Sequence, residues 1–423
     1  MKIMIDKIKK ADEEIFKIIQ KERKRRKETL EMIPSENHTS PAILEAMSTI
    51  LTDKYAEGYP GKRYYGGNEY IDEVEILAQK RAKKLFKVPF ANVQPYSGSP
   101  ANMAVYFACM KPGEKVLGMN LKDGGHLTHG WPVSFSGSYY RSVSYGVDDK
   151  DQLIDLEEVE KVAKKEKPKL IWVGGSAYPR DFDWKGFSKI AEEVDAYLAA
   201  DIAHIAGLIV AEAHSDPAPY VDIITTTTHK TLRGPRGGMV MVTEKGLQRD
   251  PDLDKKINKA VFPGLQGGPH EHQIAAKAIC FKEASTESFK RYGKEVVKNS
   301  KALTDRLIEH GFEPVTGGTD NHLCLIDLRN KEIGGKEAEE LLERAGITIN
   351  KNAIPNDPAP PANPSGIRLG TPAITTRGMK TEEMKKIADI INLIIEKRDE
   401  KTIERGRLDI KELAEKFSLP YDL

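Results

Sequence analysis

Apolar and polar positions change period along this chain, and the changes mark its elements. Ile8, Ala11, Ile15 and Ile18 recur at helical spacing, which predicts one helix from residue 3 to about 31. From about residue 72 helical and strand patterns alternate. Helical spacing covers 71–85, 98–110, 156–165 and 187–196, and short β-branched or apolar runs at 116–119, 170–173, 197–200 and 222–226 read as strands. One more strand, 239–243, follows a glycine turn. Such alternation predicts an α/β layer, a mainly parallel mixed sheet with helices on both faces.

The pattern changes after the turn-rich stretch 262–269. A long helical pattern runs from His272 to about His310, followed by strand 323–328, helix 335–345 and strand 348–350. This predicts a smaller α+β C-terminal domain. The expected division is an N-terminal helical arm at 1–53, a large α/β domain at 54–284 and a small domain at 285–423. The proline-dense loop 354–364 is long enough to expect a binding role.

Chemistry enters at Lys230. It closes the run Ile223-Ile224-Thr225-Thr226-Thr227-Thr228-His229-Lys230, before the turn Gly234-Pro235-Arg236-Gly237-Gly238. A lysine at a strand end can aim its amine into a cleft, where desolvation or a nearby cation lowers its pKa and makes it a nucleophile toward carbonyls. The usual product is a Schiff base, and the usual partner is pyridoxal phosphate. Asp201 closes another strand, where a carboxylate can hold a protonated pyridine nitrogen; Asp is equally apt as a helix N-cap. Ser97-Gly98-Ser99-Pro100 precedes a helix and suits a phosphate, or ordinary capping.

His126, in the loop Gly124-Gly125-His126-Leu127-Thr128-His129-Gly130, could stack on a ring, or be a surface histidine. Arg368 could grip a carboxylate bidentately, or form a structural ion pair. The loop from Tyr55 to Gly67 holds four tyrosines and Glu57, and could cover a flat heterocycle. Phosphate-binding glycine motifs, H-E-x-x-H and the G-x-S-x-G elbow are all absent. These residues point to a pyridoxal-phosphate enzyme acting on amino acids.

Composition narrows the setting. The chain of 423 residues is 39% hydrophobic and 30% charged, with a net charge of +1. That balance predicts a globular protein with no general attraction to nucleic acid or anionic lipid. Three scattered cysteines lack metal-ligand spacing, so no metal site is expected and a reducing compartment is. No apolar run reaches the ~18 residues of a membrane span. The N-terminus lacks a signal-peptide core, and the expected location is cytoplasmic. The basic run from Lys21 to Lys27 reads as a solvated helix face, because no aromatic is interleaved.

These residues also carry a resemblance. Pro34-Ser35-Glu36-Asn37, the stretch Lys54 to Gly67 (KYAEGYPGKRYYGG), Gly124 to Gly130, Thr225 to Gly238 and Gly366 to Ala373 closely resemble serine hydroxymethyltransferase. The resemblance implies a type I pyridoxal-phosphate fold and reversible transfer of the serine hydroxymethyl carbon to tetrahydrofolate or a related pterin, giving glycine. It implies that Lys230 carries the cofactor, Asp201 pairs with its ring nitrogen, His126 stacks on the ring, and Ser97, Gly98 and Ser99 hold the phosphate. Ser176 and His204 would contact the phenolic oxygen, with His229 adjoining the cofactor and the chemistry. Ser35 and Arg368 would hold the substrate carboxylate, Glu57 would manage a proton, and Tyr64 and Tyr65 would line and gate the substrate side. Leu121, Gly125 and Leu127 would face the pterin. Tyr55, Glu57, Tyr65, Gly267 and Gly268 would serve a neighbouring chain, which implies a homodimer with shared sites.

The chain departs from the family pattern at Tyr96 and Pro100 (usually His and Gln), at His270 and Glu271 (usually apolar), and at Ala362 (usually Phe). Ala362 leaves the pterin carrier open. It is also the one support for a pterin-independent aldolase acting on threonine-like β-hydroxy amino acids, against which the long tyrosine loop argues. An RNA-binding role for the basic helix is the third reading, opposed by the complete set Lys230, Asp201, His126 and Arg368.

Overall fold

The computed structural model describes residues 2–421, with side chains from Lys7 to Tyr421. A seven-stranded sheet organises the larger part of the chain. Its spatial order is Phe90–Asn92, Gly238–Val242, Ile223–Thr227, Tyr197–Asp201, Leu170–Val173, Lys115–Met119 and Arg141–Tyr145. Gly238–Val242 is antiparallel to both its neighbours; every other pairing is parallel.

Strand alternation splits the core between the two faces. Ile171, Val173, Leu198, Ala200, Ile224 and Met241 pack on one side, with the helices Glu69–Phe86, Trp184–Glu193 and Glu271–Ala284. Leu170, Trp172, Ala199, Ile223 and Val240 pack on the other, with Gly98–Cys109 and Leu253–Lys259. Both faces are covered, which is why these strands read as continuous apolar runs. The C-terminal ends of the parallel strands share one edge, where open α/β sheets take ligands.

A second core gathers the rest. Strands Glu313–Pro314, Leu323–Asp327, Gly366–Gly370 and Asn350–Asn352 form an antiparallel sheet in that order. Its cluster includes Leu30 and Met32 from the N-terminal segment, and Ile387, Ile391 and Ile394 from helix Thr381–Lys397. Helix Glu287–Glu309 contributes Phe289 and Val296 to the first core and Leu303 and Leu307 to the second.

Three expected elements divide. The N-terminal helix is two helices, Lys2–Ala11 and Glu13–Glu28, because Asp12 leaves the helix and its side chain accepts from Ile15 N as an N-cap. Leu30–Glu31, expected at that helix's end, is a strand paired with Ile347–Thr348. The helical pattern after His272 breaks at Thr286, which caps Glu287–Glu309 by accepting from Phe289 N. The strand expected at 348–350 is two, Ile347–Thr348 and Asn350–Asn352, each with a different partner.

Candidate active site

A cleft of about 240 Å³ opens at the C-terminal edge of the sheet, and it is lined by Ser97, Gly98, Ser99, His126, Ser176, Asp201, His204, His229 and Lys230. Its centre is Asp201. Oδ2 accepts from Asn102 Nδ2 at 2.8 Å and faces His129 Nε2 at 3.1 Å, while Oδ1 accepts from Ala203 N at 3.0 Å. Burial opposes the charge here, but the bond and charge of His129, then His126 and Asn102, outweigh it and hold the carboxyl well below the usual carboxylate range. Asp201 is therefore an ionised acceptor. His129 is itself fixed by stacking on Trp172, with centroids 5.2 Å apart and planes at 9°. Thr128 links the two histidines' loop to the same point, taking Asn102 Nδ2 at 2.7 Å and His126 Nδ1 at 2.7 Å.

Lys230 lines the same cleft. Burial pulls its amine down to about 8; Asp201 opposes the shift, and Arg368 and Arg236 add to it. Asn37 donates to the Lys230 carbonyl at 2.9 Å and to Tyr292 Oη at 2.7 Å, so the N-terminal segment anchors the lysine's backbone. Arg368 reaches in from the second sheet. Its guanidinium donates to the Ser176 carbonyl and, through Nε, to Asn350 Oδ1 at 3.2 Å. Burial lowers it to about 10, and it stays charged. His204 Nδ1 lies 3.1 Å from His322 Nε2. Burial, and then Lys230 for His204 and Arg368 for His322, hold both rings well below the ordinary histidine range, so both are neutral.

The end of the cleft at Ser97, Gly98 and Ser99 is built by backbone. Ser97 is the N-cap of Gly98–Cys109, yet its side chain makes no capping bond, so the first amides of a twelve-residue helix remain free donors. Gly238 packs against the Ser97 carbonyl so closely that a Cβ would overlap it. Beneath lies Lys277, fully buried, whose ammonium donates to the carbonyls of Val93 (2.6 Å), Pro95 (3.1 Å) and Gly238 (2.8 Å). Burial lowers Lys277 to about 7, against the pull of Glu75 and Glu271. Among the described residues Lys230 and Lys277 have depressed pKa values, but of the two only Lys230 lines the cleft.

Other expected residues stand nearby or apart. Ser35 lines an adjoining cavity of about 230 Å³, which shares His229 and Arg236 with the cleft. Leu121 lines another, of about 200 Å³, which shares His126 and His129. Gly125 backs onto the Met119 carbonyl, where a Cβ would overlap it, and Leu127 is exposed. Ala362 is exposed in a loop ordered by Asp357, whose carboxylate accepts from Ala359 N, Ser365 N and Ser365 Oγ.

Tyr55, Glu57, Tyr64, Tyr65, Gly267 and Gly268 do not line the cleft. They form a separate group. A Cβ on Gly267 would come within 3.0 Å of Glu57 Oε1, and one on Gly268 within 3.5 Å of the Tyr55 ring. Tyr55 and Tyr65 meet edge to face at 5.1 Å, and Tyr55, Tyr64 and Tyr65 are 55%, 73% and 48% exposed. Arg63 pins this loop through Asp72 (2.8 Å) and the fully buried Glu75 (2.7 Å). Two family departures meet here: Tyr96 stacks on His270 at 4.2 Å and 6°, and its hydroxyl donates to the Gly268 carbonyl at 2.8 Å.

His129, Asn102, Thr128, Asn37, Arg236 and His322 carried no assignment from sequence. His129 and Thr128 lie in the loop that follows a strand end, Arg236 in the glycine turn after Lys230 and Asn37 in the stretch Pro34 to Asn37, but none of the four had been given a role. Asn37 and His322 meet their partners in the site, Lys230 and His204, across 193 and 118 residues of sequence.

A larger cavity, about 810 Å³, lies elsewhere, between helices Glu13–Glu28 and Glu400–Lys416. It is a groove lined by charged side chains without the convergent polar groups of the cleft. Arg25, which lines it, and Arg26 of the basic run are tied down by Glu22, and Arg25 also by Glu31. Among the described residues His126, His129 and Asp201 bring ligand atoms within 4.8 Å of one another, a spacing that could hold a metal ion. Asp201 Oδ2 and His126 Nδ1 already hold the protein partners given above, whereas the cleft as a whole offers an ionised carboxylate, free helix amides and a lysine of lowered pKa. That donor set fits a pyridine ring bearing an aldehyde and a phosphate. No described helix is long and apolar enough to cross a membrane. The family model described as serine hydroxymethyltransferase matches residues 8–391.

Proposed function

The chain belongs to the serine hydroxymethyltransferase family, and from that premise we propose that it moves the hydroxymethyl carbon of serine to tetrahydrofolate or a related pterin, reversibly, leaving glycine. Its fold is that of the type I pyridoxal-phosphate transferases, and its activity is pyridoxal-phosphate dependent. The observation that carries the finer reading is Asp201 held ionised in one small cleft together with a lysine lowered to about 8.

Bound pyridoxal phosphate supplies an electron sink for the pair left on the amino acid's α-carbon. The chain's own residues do the rest. Lys230 holds the aldehyde carbon, its amine unprotonated often enough near neutrality to react. Asp201, kept anionic by His129 and Asn102, holds a proton on the ring nitrogen. His126, on the cleft wall, would stack on the ring. The amides of Gly98 and Ser99 at the helix N-terminus take the phosphate, with Arg236 adding positive charge from the cleft wall. Ser176 and His204, on the cleft wall, would contact the phenolic oxygen. Arg368 and Ser35 grip the substrate carboxylate, and Glu57 moves the hydroxyl proton.

Glu57, Tyr55, Tyr65, Gly267 and Gly268 stand outside this chain's own cleft and present exposed aromatic surface. That supports a homodimer in which they complete the neighbour's site. The same reading keeps the three-part division at 1–53, 54–284 and 285–423, and a cytoplasmic setting, in line with three buried, unpaired thiols.

The test is a serine-to-glycine assay of the pyridoxal-phosphate-loaded chain, run with tetrahydrofolate and with a methanopterin-type carrier. Carrier-dependent turnover with either supports the transferase. Full cofactor with equal cleavage of allo-threonine, pterin or none, would instead make the chain an aldolase.

A further inference from the structure

His204 and His322 share one hydrogen. Their nitrogens Nδ1 and Nε2 stand 3.1 Å apart, the rings tilted by 34°. His322 is 0% exposed, and its other nitrogen, Nδ1, is buried with no partner. His204 lines the cleft, and with Nδ1 engaged by His322 it has Nε2 left for the ligand. Both rings are neutral, so each carries a single N–H.

Two arrangements satisfy the pair. If His204 Nδ1 donates, His322 must carry its hydrogen on Nδ1, a buried donor without an acceptor, and His204 turns a bare lone pair to the cleft. If His322 Nε2 donates, the orphan on His322 is an unpaired lone pair, which interiors tolerate better than an unpaired N–H. The backbone holds this geometry. Thr231 Oγ1 donates to the His204 carbonyl at 2.8 Å, and Thr371 N to the His322 carbonyl at 3.0 Å.

We infer that His322 is a positioning residue that fixes the tautomer of His204, so that His204 presents Nε2–H to the cleft as a permanent donor for an anionic or acceptor oxygen on the ligand ring. His322 touches no ligand and acts through His204. The tautomer itself stands on the two histidines alone. Its consequence, a donor aimed at the phenolic oxygen of pyridoxal phosphate, rests on the function proposed above.

The experiment is imidazole ¹⁵N NMR of the full chain, selectively labelled at histidine, with and without pyridoxal phosphate. The His204 signals are assigned by their loss in His204→Gln. In the native chain the expected result is a hydrogen on His204 Nε2 and none on Nδ1 in both states. His322→Gln retains an amide N–H in place of Nε2–H and should preserve that tautomer. His322→Leu should populate the Nδ1–H form and weaken pyridoxal phosphate binding by about tenfold, with most of the loss recovered in His322→Gln. A hydrogen on His204 Nδ1 in the native chain overturns the inference, and needs no variant to fold. Nε2–H in a chain that binds no pyridoxal phosphate would leave the tautomer standing and remove the proposed function. Pyridoxal phosphate bound over an Nδ1–H His204 would do the opposite.

Discussion

His129 Nε2 lies 3.1 Å from Asp201 Oδ2, and the imidazole is clamped flat against Trp172. Trp172 is on the strand next to Asp201's own, in register with Ala199. The sheet therefore sets the histidine, and the histidine sets the carboxylate's charge. Replacing His129 by Phe keeps the stack and removes the bond. A hydrogen bond to a buried charge contributes ~1.5–3 kcal/mol, so kcat/KM of His129→Phe should fall roughly 10- to 100-fold. Steady-state serine cleavage checks this. Unchanged kinetics would mean that Asp201 needs no such support.

The exposed group around Glu57 makes an independent claim. If it completes a partner's cleft, two inactive variants should rescue each other. Glu57→Gln and Lys230→Ala chains, unfolded together and refolded at equal ratio, should regain about a quarter of native activity, because half the dimers are mixed and each holds one intact site. Activity no greater than that of the separate variants would place Glu57 and Lys230 in sites of the same chain, or Glu57 in none.

Much of this was legible in sequence, and the failures have physical causes. The strands at 170–173, 197–201 and 223–227 are buried on both faces and read as apolar runs. Arg141–Tyr145, an edge strand with the sequence RSVSY, is largely exposed and showed no such run. Helix Thr381–Lys397 shows a plain apolar stripe, Met384, Ile387, Ala388, Ile391, Ile394, yet was not singled out. Lys230 and Asp201 were singled out because strand ends bind ligands, and both line one cleft. His322 and Asn37 were not, because their roles exist only once distant segments meet. Asp12 and Thr286 broke two expected helices, since a single capping residue within a helical pattern is easily taken for a helix interior.

Lys230 carries a pH expectation. Burial first, and then the charges of Arg368 and Arg236, bring its amine down to about 8 from an ordinary 10.5. Only the unprotonated amine reacts with an aldehyde. At pH 7 roughly one chain in ten is then competent, against roughly one in three thousand for an ordinary lysine. The rate at which the cofactor-free chain captures pyridoxal phosphate should rise with pH and level off above about 8. Stopped-flow absorbance would read it. A rate still climbing tenfold per unit between pH 9 and 10 would mean that the cleft does not desolvate the amine.

The most direct measurement is to reduce the pyridoxal-phosphate-loaded chain with borohydride and map the modified peptide by mass spectrometry. Lys277 is the built-in control, a second lysine with a lowered pKa, about 7, but locked onto three carbonyls outside the cleft. The expected result is one pyridoxyl group per chain, on Lys230, and none in Lys230→Ala. A label on Lys277, or a stoichiometric label elsewhere in a chain that turns over serine, would contradict the assignment of Lys230 as the residue that carries the cofactor.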